Sequence, residues 1–142
     1  MVIRLSVPGE PKGKGRPRLG RSGHAYTPHD TANYENLVKV CFRDAYPDHI
    51  PLDADVAVRM RMVAYYTIPK SASKKRRLAM LLEHIHPLKK PDCDNIAKII
   101  CDALNGIAYH DDSQIYSLNV EKLYSETPRV EVRMEWDDGT ED

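Results

Sequence analysis

Hydrophobic and polar positions alternate or recur along most of this chain, and the period changes several times. Ile3, Leu5 and Val7 alternate with Arg4 and Ser6, which predicts a short strand with one buried face. From about Thr31 the apolar positions Tyr34, Leu37, Val38, Cys41 and Ala45 fall at helical spacing, and Pro47 stops that helix. Val56, Val58, Met60, Met62 and Ala64 then alternate over a long strand. Ser71 or Ser73 caps a second helix running through Leu78, Leu81, Leu82 and Ile85. A third helix is predicted from about Asn95 to Asn105, with Ile96, Ile99, Ile100, Ala103 and Leu104 as its apolar stripe and Gly106 as its C-cap. Tyr116, Leu118 and Val120 alternate, as do Val130, Val132, Met134 and Trp136, and the break Ser125-Glu126-Thr127-Pro128 predicts a hairpin of these two strands. The order β-α-β-α-α-β-β predicts an α+β fold: one domain over residues 1–142, with a mixed or antiparallel sheet of about four strands and helices packed on it.

Between the first strand and the first helix the pattern breaks. Residues 8–23 hold five glycines, three prolines and the basic residues Lys12, Lys14, Arg16, Arg18 and Arg21, which excludes helix and central strand and predicts a mobile loop. This loop lacks the Gly-Lys-Ser/Thr ending of a phosphate-binding loop, so no nucleotide cofactor is expected. Net charge is zero over the chain, yet residues 1–90 carry an excess of nine positive charges and residues 91–142 an excess of nine negative ones. The split points to one surface for polyanions and a separate acidic cluster, with an acidic tail at 137–142. Lys74, Lys75, Arg76 and Arg77 crowd the start of the second helix, where positive charge opposes the helix dipole by a few tenths of a kcal/mol each. At 142 residues the chain excludes a multidomain enzyme. No apolar run is long enough to span a bilayer, no secretory signal opens the chain, and three cysteines (Cys41, Cys93, Cys101) suit free thiols in a reducing compartment, so a cytoplasmic protein is expected.

The chemistry concentrates in Pro91-Asp92-Cys93-Asp94-Asn95 and the helix that follows. On that helix Asn95, Lys98 and Asp102 form a polar stripe opposite the apolar one. Asp92 and Asp94 lie just before it, where an extended backbone would point both carboxylates the same way. Two carboxylates on one spot repel and need a positive partner: the helix N-terminus, Lys98, or a divalent cation. Capping by Asp94 explains one of them and leaves Asp92 without a task. A second pair, Asp111-Asp112, precedes the next strand. Hard oxygen donors of this kind suit Mg²⁺ or Mn²⁺. Cys41, Cys93, Cys101, His84, His86 and His110 lack the paired spacing of a zinc site, and a calcium loop starting at Asp92 would meet Ala103 where its last ligand belongs. Basic tracts that neutralise phosphates beside acidic residues that hold a metal form the combination expected of a nuclease.

Asp92-x-Asp94-Asn95-x-x-Lys98-x-x-x-Asp102-Ala103-Leu104-Asn105-Gly106, followed by Asp111-Asp112-x-Gln114 and then Lys122, resembles the RusA family of Holliday junction resolvases. The opening Pro11-Lys12-Gly13-Lys14-Gly15-Arg16-Pro17-Arg18 is similar to the basic loop of many members. The resemblance implies an α+β homodimer of phage or prophage type that depends on Mg²⁺ and nicks four-way DNA junctions symmetrically. It implies that Asp92, Asp94 and Asp112 are catalytic carboxylates and metal ligands, with Asp111 the other member of the second pair, and that Lys98 is the catalytic lysine. DNA contacts are expected from Lys12, Lys14, Arg16, Arg18 and Arg21 in the loop and from Lys74, Lys75, Arg76 and Arg77 on the second helix. A dimer would use the strand at 129–136 or the one at 55–66. Two other readings compete: a nuclease for forks or flaps, and a non-cleaving DNA-binding accessory protein of phage replication or packaging.

Overall fold

The computed structural model describes residues 1–15, 18–20, 23, 25–26 and 29–137. Strand β1 (Val2–Pro8) buries Ile3, Leu5 and Val7 and exposes the residues between them, as the alternation predicts. Two-residue strands β2 (Arg18–Leu19) and β3 (Ala25–Tyr26) pair within the basic segment. Helix α1 (His29–Ala45) turns Thr31, Tyr34, Val38 and Phe42 inward, and β4 (Val58–Thr67) buries Val58, Met60, Met62, Ala64 and Tyr66. Helices α2 (Lys74–Leu81) and α3 (Cys93–Leu104) follow, then a 3-10 turn at Asp112–Gln114, β5 (Ile115–Ser125) and β6 (Arg129–Trp136).

The sheet is mixed, with order β1-β6-β4-β5: β6 is antiparallel to both β1 and β4, and β4 is parallel to β5. The fold is α+β, and its core lies between one face of the sheet and helices α1 and α3. The predicted hairpin does not form. β4 lies between β5 and β6, and the three residues linking those strands bridge across it. The reason is burial: β4 hides five alternate side chains along its length, whereas β5 exposes Tyr116 and Leu118. The strand with the most apolar surface takes the interior, and the more polar one takes the edge. The link is held from outside, by Gly9 N–H to the Pro128 carbonyl at 3.1 Å and by Arg129 Nη1 to the Thr127 carbonyl at 2.8 Å.

Four element boundaries differ from the sequence expectation. β4 begins at Val58, not Val56, and α1 begins two residues before Thr31. α2 stops at Leu81 instead of reaching Ile85, because Glu83 takes a left-handed backbone (φ 63°) and its own N–H and that of His84 close onto Met80 and Ala79. Only Met80 of α2 is buried, so Leu78, Leu81 and Leu82 form no core stripe. α3 starts at Cys93 with Asp92 at the N-cap position, and its C-cap is Asn105; Gly106 follows at φ 75°, a left-handed turn that glycine adopts without strain. Asp92 and Asp94 therefore do not share an extended stretch: one precedes the helix and the other lies in its first turn. Among the described residues no helix is long and apolar enough to cross a membrane.

Candidate active site

The approach to α3 is pinned from below. Tyr66, buried in the core, donates its hydroxyl to the Pro91 carbonyl at 2.7 Å. Burial, and then the neighbouring Cys93, Asp92 and Glu10, push the Tyr66 hydroxyl well above its usual range, so it remains a proton donor. Lys122 on β5 donates to the Lys89 carbonyl at 2.6 Å, with its ammonium 5.2 Å from the Tyr66 ring centre. These bonds set where α3 begins, and so where Asp92 at its N-cap and Asp94 in its first turn stand. Asp92 is exposed, and its side chain makes no capping hydrogen bond although it occupies the N-cap position.

The far end of α3 positions the second acidic pair. Asn105 accepts the Asp112 N–H on its side-chain oxygen at 2.9 Å. Asp111 is the N-cap of the 3-10 turn: its carboxylate accepts from Ser113 N–H at 3.0 Å, while Gln114 Oε1 accepts the Asp111 N–H at 2.9 Å. Gln114 is buried and anchors the turn by donating to the Asp53 and Val56 carbonyls at 2.6 and 3.0 Å. The hydrogen bonds with Ser113 hold the Asp111 carboxyl below its usual range. The members of this pair therefore do different work, Asp111 as a cap and Asp112 as a groove residue.

Asp94, Lys98 and Asp112 come together along an open groove of about 390 Å³ between α3 and the start of β5, whose walls include Ala97, Cys101, Tyr116 and Leu118. Asp92 lies outside that lining, at the helix N-cap. Lys98 Nζ lies 3.0 Å from Asp102 Oδ1, and that hydrogen bond with the Asp102 charge, aided by Asp112, raises its pKa and keeps it cationic. Cys101 contributes no nucleophile: burial pushes its thiol up to about 11. Asp94 and Asp112 offer hard oxygen donors in one groove and Asp92 is uncommitted nearby, a donor chemistry suited to a divalent cation. Among the described residues, however, no three His, Cys, Asp or Glu side chains gather as a ligand group.

The basic loop is not detached from this helix. Lys14 N–H donates to the Asn95 carbonyl at 3.1 Å, and Gly15 N–H to Thr31 Oγ1 at 2.9 Å. A Cβ on Gly13 would approach Pro91 Cβ to 2.9 Å and Asn95 Cβ to 3.0 Å, so only glycine fits there without displacement. Residues 13 and 14 are thus fastened to the start of α3, and Gly15 to α1. Lys12 is exposed, Lys14 is paired with carboxylates, and Arg16, Arg21 and the Arg18 side chain lie outside the described residues, as do the tail residues beyond Asp137. Lys74, Lys75 and Arg76 are exposed on α2, while Arg77 lies 3.6 Å from Glu126. Sequence reasoning missed the roles of Tyr66, Glu35 and Lys14, because their partners lie more than twenty residues away along the chain, and that of Asn105, whose partner Asp112 lies seven residues on across a loop. Asp102 had a signal, since it continues the polar stripe of Lys98.

A groove that sets two carboxylates and a lysine side by side, with basic chain fastened to the same helix, has the layout of a hydrolase acting on a polyanion. Residues 8–135 match the family Endodeoxyribonuclease RusA, and the chain belongs to that family. It is also 38% identical over 138 residues, covering 92% of this chain and 93% of the relative, to the uncharacterized protein YqaN of Bacillus subtilis (strain 168).

Proposed function

We propose that this protein is a divalent-metal-dependent endodeoxyribonuclease that cuts four-way DNA junctions as a homodimer, in recombination of the phage or prophage type. The observation that carries the reading is the shared groove of Asp94, Lys98 and Asp112. Asp94 and Asp112, with Asp92, would hold Mg²⁺ or Mn²⁺, and such an ion, when bound, polarises a phosphate oxygen and lowers the pKa of the attacking water. Lys98 is cationic and faces the same groove, so its role is to stabilise negative charge developing on the phosphate. Asp111 serves this site by shaping the turn that presents Asp112. Exposed Lys12, Lys74, Lys75 and Arg76 supply cations for DNA phosphates, and Arg16, Arg18 and Arg21 extend that set.

The homodimer follows from the task. Symmetric cleavage needs two sites related by a two-fold axis, and one chain holds one groove. Both strands expected at the interface, β4 and β6, lie inside the sheet with both edges paired, so they would contribute through outward side chains only. The test is incubation with Mg²⁺ and labelled junction, fork, flap and duplex of matching sequence, with sedimentation of the free protein and the complex. Paired nicks in the junction by a dimer support the proposal. Preferred cutting of forks or flaps assigns those substrates instead, and tight junction binding without cleavage in Mg²⁺ or Mn²⁺ identifies an accessory DNA-binding protein.

A further inference from the structure

Lys14 belongs to a segment whose composition suggests phosphate binding, yet its ammonium is already engaged. Lys14 Nζ lies 3.1 Å from Glu35 Oε2 on α1 and 3.1 Å from Asp102 Oδ2 on α3. The other Asp102 oxygen, Oδ1, accepts from Lys98 at 3.0 Å. Asp102 is thus shared between two lysines, one oxygen each. The Asp102 and Glu35 carboxylates are mostly shielded, with side-chain exposures of 17% and 15%, while Lys98 is 59% exposed and lines the groove. Burial alone would lower the Lys14 pKa, but its hydrogen bonds to Glu35 and Asp102 outweigh that and raise it, so the cation persists.

We propose that Lys14 is a positioning residue for catalysis: with Glu35 it fixes the Asp102 carboxylate, and Asp102 in turn holds the Lys98 ammonium in the active-site groove. The physical reason is geometric. A carboxylate bonded at one oxygen has lost its freedom to rotate, so the lysine on its second oxygen is directed along one line. If Lys14 is removed, Asp102 and Glu35 become two shielded carboxylates with Lys98 as their nearby cation, and Lys98 is drawn toward them and away from the groove. The backbone bonds of residues 14 and 15 and the close contact at Gly13 tie residues 13–15 to α3 and α1 in the same assembly. DNA gripped by the exposed Lys12 beside this segment would thereby be tied in position to the lysine that acts on it.

The proposal rests on the reading of Lys98 as an active-site residue, and its test separates the two. Lys14→Met, Lys14→Arg, Lys98→Met and the double variant Lys14→Met/Lys98→Met are compared in single-turnover junction cleavage at saturating protein, in the salt dependence of junction binding, and in thermal unfolding. Lys14→Met is expected to lower the saturating rate about 10- to 100-fold with an unchanged salt slope, as a displacement of about 1 Å at a reacting group would. Lys14→Arg should restore most of that rate, and the double variant should cut no more slowly than Lys98→Met alone. A salt slope reduced by about one unit with an unchanged saturating rate would make Lys14 a phosphate ligand and overturn the proposal. Independent, multiplicative losses in the double variant would overturn it as well. A readout free of cleavage is the ¹³Cε resonance of Lys98 in lysine-labelled protein: it should move on Lys14→Met and stay in place on Lys74→Met, and an unmoved resonance rejects the coupling. Failure of the wild-type protein to cut any DNA would instead overturn the proposed function and leave that resonance to decide the coupling.

Discussion

Two basic tracts of this chain look alike on paper and differ in space. In the tract from Lys12 to Gly15, residues 13 and 14 are fastened to the start of α3, Gly15 to α1, and Lys14 is held by Glu35 and Asp102. Lys74 to Arg77 projects from the first turns of α2, with no acidic residue in the first turn and one ion pair, Arg77 to Glu126, among the described residues. The first tract is joined to the helix that carries the groove, with Lys14 balanced by two carboxylates; in the second, Lys74, Lys75 and Arg76 are exposed and Arg77 alone is paired. A cation with a shielded carboxylate partner is committed to architecture, whereas an exposed one keeps its charge for a polyanion. Counting basic residues therefore overstates the free positive charge of both tracts, by Lys14 in the first and by Arg77 in the second, and leaves Lys74, Lys75 and Arg76 exposed on α2.

The largest effect concerns the groove along α3, the helix to which the first tract is joined. Asp94→Asn or Asp112→Asn should lower junction cleavage at least ~10³-fold while binding stays equal or tightens, since removing a negative charge beside the phosphates relieves repulsion. Near-normal cutting by either variant would remove that residue from the site and weaken the distinction between the tracts. Next comes the packing that joins the first tract to α3. Gly13→Ala should force the segment away from Pro91 and Asn95 and lower the saturating cleavage rate about tenfold, with little change in salt slope. An unchanged rate would show that the fastening has no bearing on chemistry.

The second tract predicts the opposite signature. Replacing Lys74, Lys75 and Arg76 by Ala should weaken junction binding and flatten its salt dependence by about one unit for each phosphate no longer neutralised, with the saturating rate unchanged. A lowered saturating rate would place α2 at the active site and erase the comparison. The smallest effect is on Asp111. Its folded-state pKa is depressed, so its stabilising contribution is present above the ordinary carboxylate range and disappears as pH falls through the folded value. Asp111→Ala should therefore lower the melting temperature slightly at neutral pH, and the difference from wild type should vanish in acid. A difference that persists at all pH values would mean that the charge is not what stabilises the turn.

The sites were readable to different depths. Asp94, Lys98 and Asp112 were all named from spacing and resemblance, and they line one groove. Asp92 was named with them but occupies the N-cap position outside the lining, because the helix begins two residues earlier than its apolar stripe suggests. The division of labour between Asp111 and Asp112 depends on Gln114 and Asn105: Asp111-x-x-Gln114 has the spacing of a capping box, a local signal, whereas the bond from Asp112 N–H to Asn105 follows from how the loop after α3 folds back.

Local periodicity determined the elements. Residues that alternate in polarity bury one face of a strand, and a stripe at helical spacing buries one face of α3, wherever those elements happen to pack. The motif residues, in their order, likewise determined the family. Strand neighbours and ion-pair partners were decided by tertiary structure alone. β4 lies between β5 and β6 because all strands compete for the buried centre of one sheet, and Lys14 meets Asp102 because α1, α3 and the basic segment converge. Both outcomes are set by contacts between residues tens of positions apart, whose energies enter only once the chain has closed on itself.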